Sequence, residues 1–239
     1  MVVRAEFRLA PVRLNALVAT LFVVGSACFV VGSVPGYLDA VGGTADGITF
    51  FVGSLFFTGA SFAQLLQAQT PAATDVGEHE QHRPTPLRWW AWEPRDRAWL
   101  AAATQFPGTL CFNVSTAAAL THNATAHEQN QHVWRPDIYG STLFLVSSAF
   151  GLLAVHRTAA RIRMRTLPGQ IAWLNLVGSV LFMASALASY ILPTGEELND
   201  AVAVAGTLLG AVCFLCGAAL MFPAWRRAVR QVTTQGEQR

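Results

Sequence analysis

Six stretches of this chain carry no formal charge, and each is long enough to cross a lipid bilayer as a helix. A hydrocarbon core about 30 Å thick takes about 20 apolar residues of helix. The runs Leu14–Val34, Gly47–Gln67, Trp99–Leu120, Ile138–His156, Ile171–Leu192 and Ala201–Phe222 meet that length to within a few residues. The third is the most polar, with Gln105, Pro107 and Asn113 inside it. All 30 charged residues fall outside the runs, Asp137 and Asp200 at their edges. Only 13% of the chain is charged, where soluble domains carry about 25%. The pattern predicts an all-α fold, a polytopic membrane bundle of six transmembrane helices. It is a single membrane domain over 1–239. Its parts are hairpins at 14–67, 99–156 and 171–222, a connector at 68–98, a basic loop at 157–170 and a tail at 223–239. The N-terminal run is about 20 residues with no clean small-residue cleavage site, so it is expected to be retained as the first span.

Arginine sets the orientation, because cytoplasmic loops are enriched in basic residues. The chain has no lysine, and 15 of its 16 arginines lie before the first span, between spans two and three, between four and five, or after six. Arg135 alone lies on the other side. Carboxylates divide seven and seven, so the two faces carry about +8 and −6. The basic face is expected to be cytosolic, with both termini inside and the chain multi-pass in the plasma membrane. Trp and Tyr favour the membrane–water boundary. Tyr37, Tyr139, Tyr190 and Trp134 fall near outer ends, and Trp99, Trp173 and Trp225 near inner ends.

Each span also contains a Gly, a small residue, two others and a Phe. The copies start at Gly25, Gly53, Gly108, Gly140, Gly178 and Gly210, and within successive helix pairs the glycines are 28, 32 and 32 residues apart. This spacing predicts three helical hairpins in tandem. Apolar burial does not drive helices together in lipid, so small residues that let backbones approach take over. The motif is expected to be a packing element, with a path along its groove as the alternative. Gly53-Ser-Leu-Phe-Phe57, within Phe50–Gln64, resembles the YrhK-like family of small bacterial membrane proteins, whose helical hairpins carry such a Gly-Ser-x-x-Phe element. The resemblance is best over spans one and two and weaker over five and six, where Ala211 follows Gly210. It implies an architecture and no activity. Three two-helix repeats are also the plan of mitochondrial carriers, but their Pro-x-acid-x-x-base signature is absent.

Intramembrane ionisable residues mark proton relays and ion-coupled carriers, so their absence from the spans argues against those classes. The polar exception is span three, where Gln105, Thr109, Asn113 and Thr116 recur at helical spacing and share one face. That face could line a pore or ligand site. The competing reading is interhelical hydrogen bonding, with Asn175 in span five or Ser141 and Thr142 in span four as the expected partners. His122, His127 and His132, with Glu128 among them, are weak candidates for a metal site. Zinc takes imidazole and carboxylate ligands, but a spacing of five matches neither helix nor strand. Cys213-x-x-Cys216 sits in an apolar helix, where thiolate formation is disfavoured. The sequence holds no nucleophile–base set, no phosphate-binding glycine loop, no implied cofactor and no nucleic-acid footprint.

The segment Arg88-Trp-Trp-Ala-Trp-Glu-Pro94 is expected to rest its tryptophans on the inner leaflet, with partner docking as the alternative. These features together point to a non-enzymatic membrane protein working by association, as a scaffold, a homo-oligomer or a subunit of a membrane assembly. A channel or transporter for a small neutral solute, lined by the polar face of span three, is the alternative.

Overall fold

In a computed structural model the backbone is described over residues 2–70, 88–121, 125–156 and 165–237, and the side chains over 14–70, 88–121, 125–155 and 165–226. Among these residues every regular element is helical, apart from one antiparallel bridge between Ile191 and Glu197. The helices are α1 (Val2–Gly32), α2 (Tyr37–Val41), α3 (Gly43–Gln69), α4 (Arg97–Ala118), α5 (Ala126–Gln129), α6 (Arg135–His156), α7 (Leu167–Ala188) and α8 (Asp200–Glu237). A π-helical turn, Asn130–Trp134, joins α5 to α6 without a break.

Local chemistry marks the ends. Asp96 caps α4, its carboxylate accepting from the Ala98 N–H at 2.8 Å. Thr166 caps α7 by accepting from the Gly169 N–H at 3.3 Å, with Pro168 in the first turn, where a missing N–H costs nothing. Gly42, at φ +80, turns the chain from α2 into α3, a left-handed conformation that side chains resist.

Five of the helices, over Leu14–Gly32, Gly43–Gln69, Ala126–Val155, Leu167–Ala188 and Asp200–Arg226, are long and apolar enough to cross a membrane. The more polar α4 has 22 residues, about 33 Å at 1.5 Å per residue, and packs between α3 and α6. The six long helices form a closed ring in chain order, with α8 returning to α1, and the most extensive contacts are those within the three hairpins. Three differences from the sequence reading concern helix extent. Helix α1 begins at Val2, the segment before span four is helical from Ala126, and α8 continues to Glu237. At 1.5 Å per residue all three are longer than a hydrocarbon core of about 30 Å.

Inside each hairpin the two motif glycines lie against each other. A Cβ on Gly25 would meet the Gly53 carbonyl oxygen at 3.0 Å, one on Gly140 the Gly108 oxygen at 3.1 Å, and one on Gly178 the Gly210 oxygen at 3.1 Å. Each would also strike the ring of the partner helix's motif Phe. The missing side chain thus creates the slot that the opposing ring fills.

Candidate functional site

The six motif phenylalanines converge on the axis of the ring. The helices alternate in direction, so the Phe four residues after each Gly is displaced one way in α1, α4 and α7 and the other way in α3, α6 and α8. Two stacked triangles result. In one, Phe57, Phe144 and Phe214 contact each other at 5.8–6.2 Å between ring centroids, edge to face. In the other, Phe182 meets Phe29 at 5.9 Å and Phe112 at 6.1 Å. Each hairpin adds one rung between the triangles: Phe29–Phe57 at 5.6 Å, Phe112–Phe144 at 5.0 Å and Phe182–Phe214 at 5.5 Å. The Phe29–Phe112 edge is open. A small cavity of about 10 Å³ is lined by the six rings and Ser54. That is about one water's worth of space.

Around this stack runs a second layer of small residues that the sequence reading missed. The motif continues, because positions seven and eight after each Gly are also small: Gly32-Ser33, Ala60-Ser61, Ser115-Thr116, Ser147-Ser148, Ser185-Ala186 and Gly217-Ala218. They are almost all buried, as are Ser26, Ser54, Thr109, Ser141, Ser179 and Ala211 beside the motif glycines. Between hairpins these positions meet. Ser54 and Thr116 share a hydrogen bond of 3.0 Å across α3 and α4, and Ser148 and Ser179 one of 2.7 Å across α6 and α7. Ser179 also donates to the Phe144 carbonyl at 3.2 Å. Ser26, Ser33, Ser61 and Ser141 are buried with no partner among the described residues. By the same register their counterparts are Ala218, Ala211, Thr109 and Ala186, and Thr109 commits its hydroxyl to the Phe106 carbonyl at 2.7 Å.

The polar face of α4 belongs to this layer. Asn113 donates to the Thr58 hydroxyl at 2.9 Å, Thr116 donates to the Phe112 carbonyl at 2.7 Å besides meeting Ser54, and Thr109 is fully buried. Gln105 turns to the opposite neighbour, accepting from Ser147 at 3.3 Å. The partners therefore stand on α3 and α6, at Ser54, Thr58 and Ser147, and not at Asn175, Ser141 or Thr142. Asn175 serves the next interface, its carbonyl accepting from Ser148 at 3.2 Å and its Oδ1 lying against Gly217. Thr142 is exposed and donates to its own helix at the Ile138 carbonyl. The buried Oδ1 of Asn113 has no partner among the described residues.

At the start of α5, Thr125 and Glu128 form a capping box. The Thr125 N–H and hydroxyl both donate to Glu128 Oε2 at 2.8 Å, and the Glu128 N–H returns to the Thr125 hydroxyl at 3.3 Å. These bonds, first the backbone one, hold the Glu128 carboxyl below its usual range, and the His132 and His127 imidazoles add to the effect. His127 is the chain neighbour of Glu128 and His132 lies four residues on, about one helical turn. Among the described residues no three His, Cys, Asp or Glu side chains converge on one point; His122 lies outside them. The same segment docks on hairpin three. Asn130 donates to the Ile191 carbonyl at 2.7 Å and accepts from its N–H at 2.9 Å, and Trp134 donates to the Ala186 carbonyl at 2.7 Å. Cys28 and Cys213 pack against Gly53 and Gly178, and all four cysteines are free. Compared with protein-family models, with curated proteins and with solved structures, the chain finds no match to any of the three.

Proposed function

We propose that this protein is a non-enzymatic membrane bundle whose work is association, as a scaffold, a homo-oligomer or a subunit of a larger membrane assembly. The observation that carries the reading is the axis of the ring, filled by two stacked triangles of phenylalanine where a conducting protein would hold water. On α4, Thr116, the Asn113 amide N–H and Gln105 bond Ser54, Thr58 and Ser147 of the neighbouring helices, which supports a structural use of that face. We infer that the three hairpins are copies of one two-helix unit, and the likeness to the YrhK-like family remains part of this proposal. The arginine bias supports cytosolic termini by the positive-inside rule, and residence in the plasma membrane is part of the same proposal.

Osmotic swelling of vesicles holding the purified chain tests the central point. Swelling in glycerol or urea at the rate of protein-free vesicles is expected. Faster, saturable swelling would replace this reading with the neutral-solute channel, which the unpartnered Asn113 Oδ1 favours. Native purification with crosslinking then looks for the partner or the second copy. Cysteines placed at Glu196 and Arg165 should label from opposite sides of the membrane; labelling from one side overturns the topology.

A further inference from the structure

The segment that precedes α4 is held against the flank of the bundle, not beneath its end. Trp89 packs on Phe62 with ring centroids 6.4 Å apart. Phe62 lies seven residues before the end of α3 at Gln69, about 10 Å up the helix at 1.5 Å per residue. It is itself partly exposed on the outside of the ring and touches Phe106 of α4 at 5.6 Å. Trp92 meets Trp99 of α4 edge to face at 5.3 Å. Pinned at both points, the segment nonetheless leaves Trp89, Trp90 and Trp92 at 72%, 80% and 69% exposure. Three neighbouring indoles left in water would be costly, since aromatic side chains carry large apolar areas.

Two cations flank them. Arg88 and Arg95 are exposed, whereas Arg97 donates to the Leu153 carbonyl at 3.1 Å and Asp96 is committed to the α4 cap. Glu93 is the one uncommitted acid in the stretch. An indole has an apolar body and one N–H donor, which suits the boundary between acyl chains and headgroups. A guanidinium suits a phosphate, which it can grip with two hydrogen bonds.

We propose that Arg88–Arg95 is a lipid-binding strap: Trp89, Trp90 and Trp92 sit in the headgroup layer of the basic side's leaflet, and Arg88 and Arg95 hold the phosphates of anionic lipids there. The depth of the Trp89–Phe62 contact favours lipid over a soluble protein partner, because a partner would have to enter the bilayer to reach it. The face as a whole carries about +8, which matches an anionic leaflet. The site itself does not depend on which side of the membrane is cytosolic.

The test uses the full chain in vesicles of phosphatidylcholine alone or of phosphatidylcholine with phosphatidylglycerol. The readout is acrylamide quenching of the tryptophan fluorescence that W89F/W90F/W92F lacks. Quenching of this component should fall severalfold from detergent to vesicles, and fall further when the anionic lipid is present. The R88Q/R95Q variant should keep the first decrease and lose the second. Quenching in both vesicles as strong as that of a free indole in water would overturn the proposal and leave these side chains facing the aqueous phase, as a protein-docking surface would. Equal shelter with and without phosphatidylglycerol, or an R88Q/R95Q response like the parent's, would overturn the anionic-lipid site. None of these results depends on whether the axis conducts, so the strap and the scaffold reading fail separately.

Discussion

Gly178 and Gly210 meet back to back, so that a Cβ on either would lie 3.1 Å from the other's carbonyl oxygen. The pair sets the distance between α7 and α8, and the ring of each helix's motif Phe fills the room that the other's glycine leaves. Gly210 is the tightest of the six, because its Cβ would come within 2.5 Å of the Phe182 ring. Phe182 cannot yield freely, being held by Phe29, Phe112 and Phe214. Overpacking of this kind costs about 1–3 kcal/mol. Gly210→Ala should therefore lower the melting temperature in mild detergent. Gly151→Ala, whose Cβ meets nothing within 4 Å, should be neutral or stabilising, since Ala is the better helix former. Equal melting temperatures for the two variants would show that the hairpins are not held by close glycine contact.

Phe57 makes the most ring contacts of any described aromatic, touching Phe22, Phe29, Phe144 and Phe214. Its neighbour Phe56 is only partly buried and makes no ring contact among the described residues. Truncating a buried Phe costs about 3–5 kcal/mol in soluble proteins. Phe57→Ala should approach that loss in a thermal or denaturant melt, and Phe56→Ala should fall well short of it. Phe57→Ala should also weaken the effect of Phe214→Ala made in the same chain, because the two rings share one triangle and neighbouring effects are not additive.

Much of this arrangement was legible in the sequence because lipid imposes simple rules. The uncharged runs give the six long helices, five of them long and apolar enough to cross a membrane, and six glycines at fixed distances from six phenylalanines give the hairpin contacts. What those phenylalanines do together was not legible. A helix pattern tells which residues share a face, but not which helix that face meets. Gln105, Thr109, Asn113 and Thr116 were placed on one side of α4 by their spacing. Their partners Ser54, Thr58 and Ser147 required knowing that the ring runs in chain order, with α4 between α3 and α6. The second half of the motif could have been found. Small pairs at positions seven and eight recur in all six spans, but Gly, Ala, Ser and Thr vary among themselves there, so no single residue type repeats. The helical character of Ala126–Trp134 was hidden by its polarity and by a π turn, which breaks the usual period.

Ser148 and Ser179 share a 2.7 Å hydrogen bond across the interface of hairpins two and three. Interhelical hydrogen bonds in membranes average about 0.6 kcal/mol, reaching about 1.7 kcal/mol. A double-mutant cycle of Ser148→Ala and Ser179→Ala should give a coupling in that range. Ser141→Ala should cost nothing or stabilise, because its buried hydroxyl has no partner among the described residues and burying an unpaired polar group is unfavourable. A large loss at Ser141 would mean that the hydroxyl is satisfied in the bilayer by something outside the bundle.

Glu128 provides the pH-dependent element. Its carboxyl is held below the ordinary value of 4.5, first by the Thr125 backbone N–H and then by the Thr125 hydroxyl. A group whose folded pKa is depressed contributes stability above its unfolded pKa, and that contribution is lost as pH falls through the folded value. The capping box should hold the start of α5 at neutral pH and release it in acid. Amide exchange over residues 125–134, corrected for the intrinsic effect of pH, should therefore show protection at pH 7 that fades below about pH 4. Glu128→Gln should flatten that profile, since the amide cannot titrate. Thr125→Val should lower protection at all pH values by removing the hydroxyl that both caps the helix and bonds the carboxylate. A parent profile as flat as that of Glu128→Gln would place the acid response elsewhere.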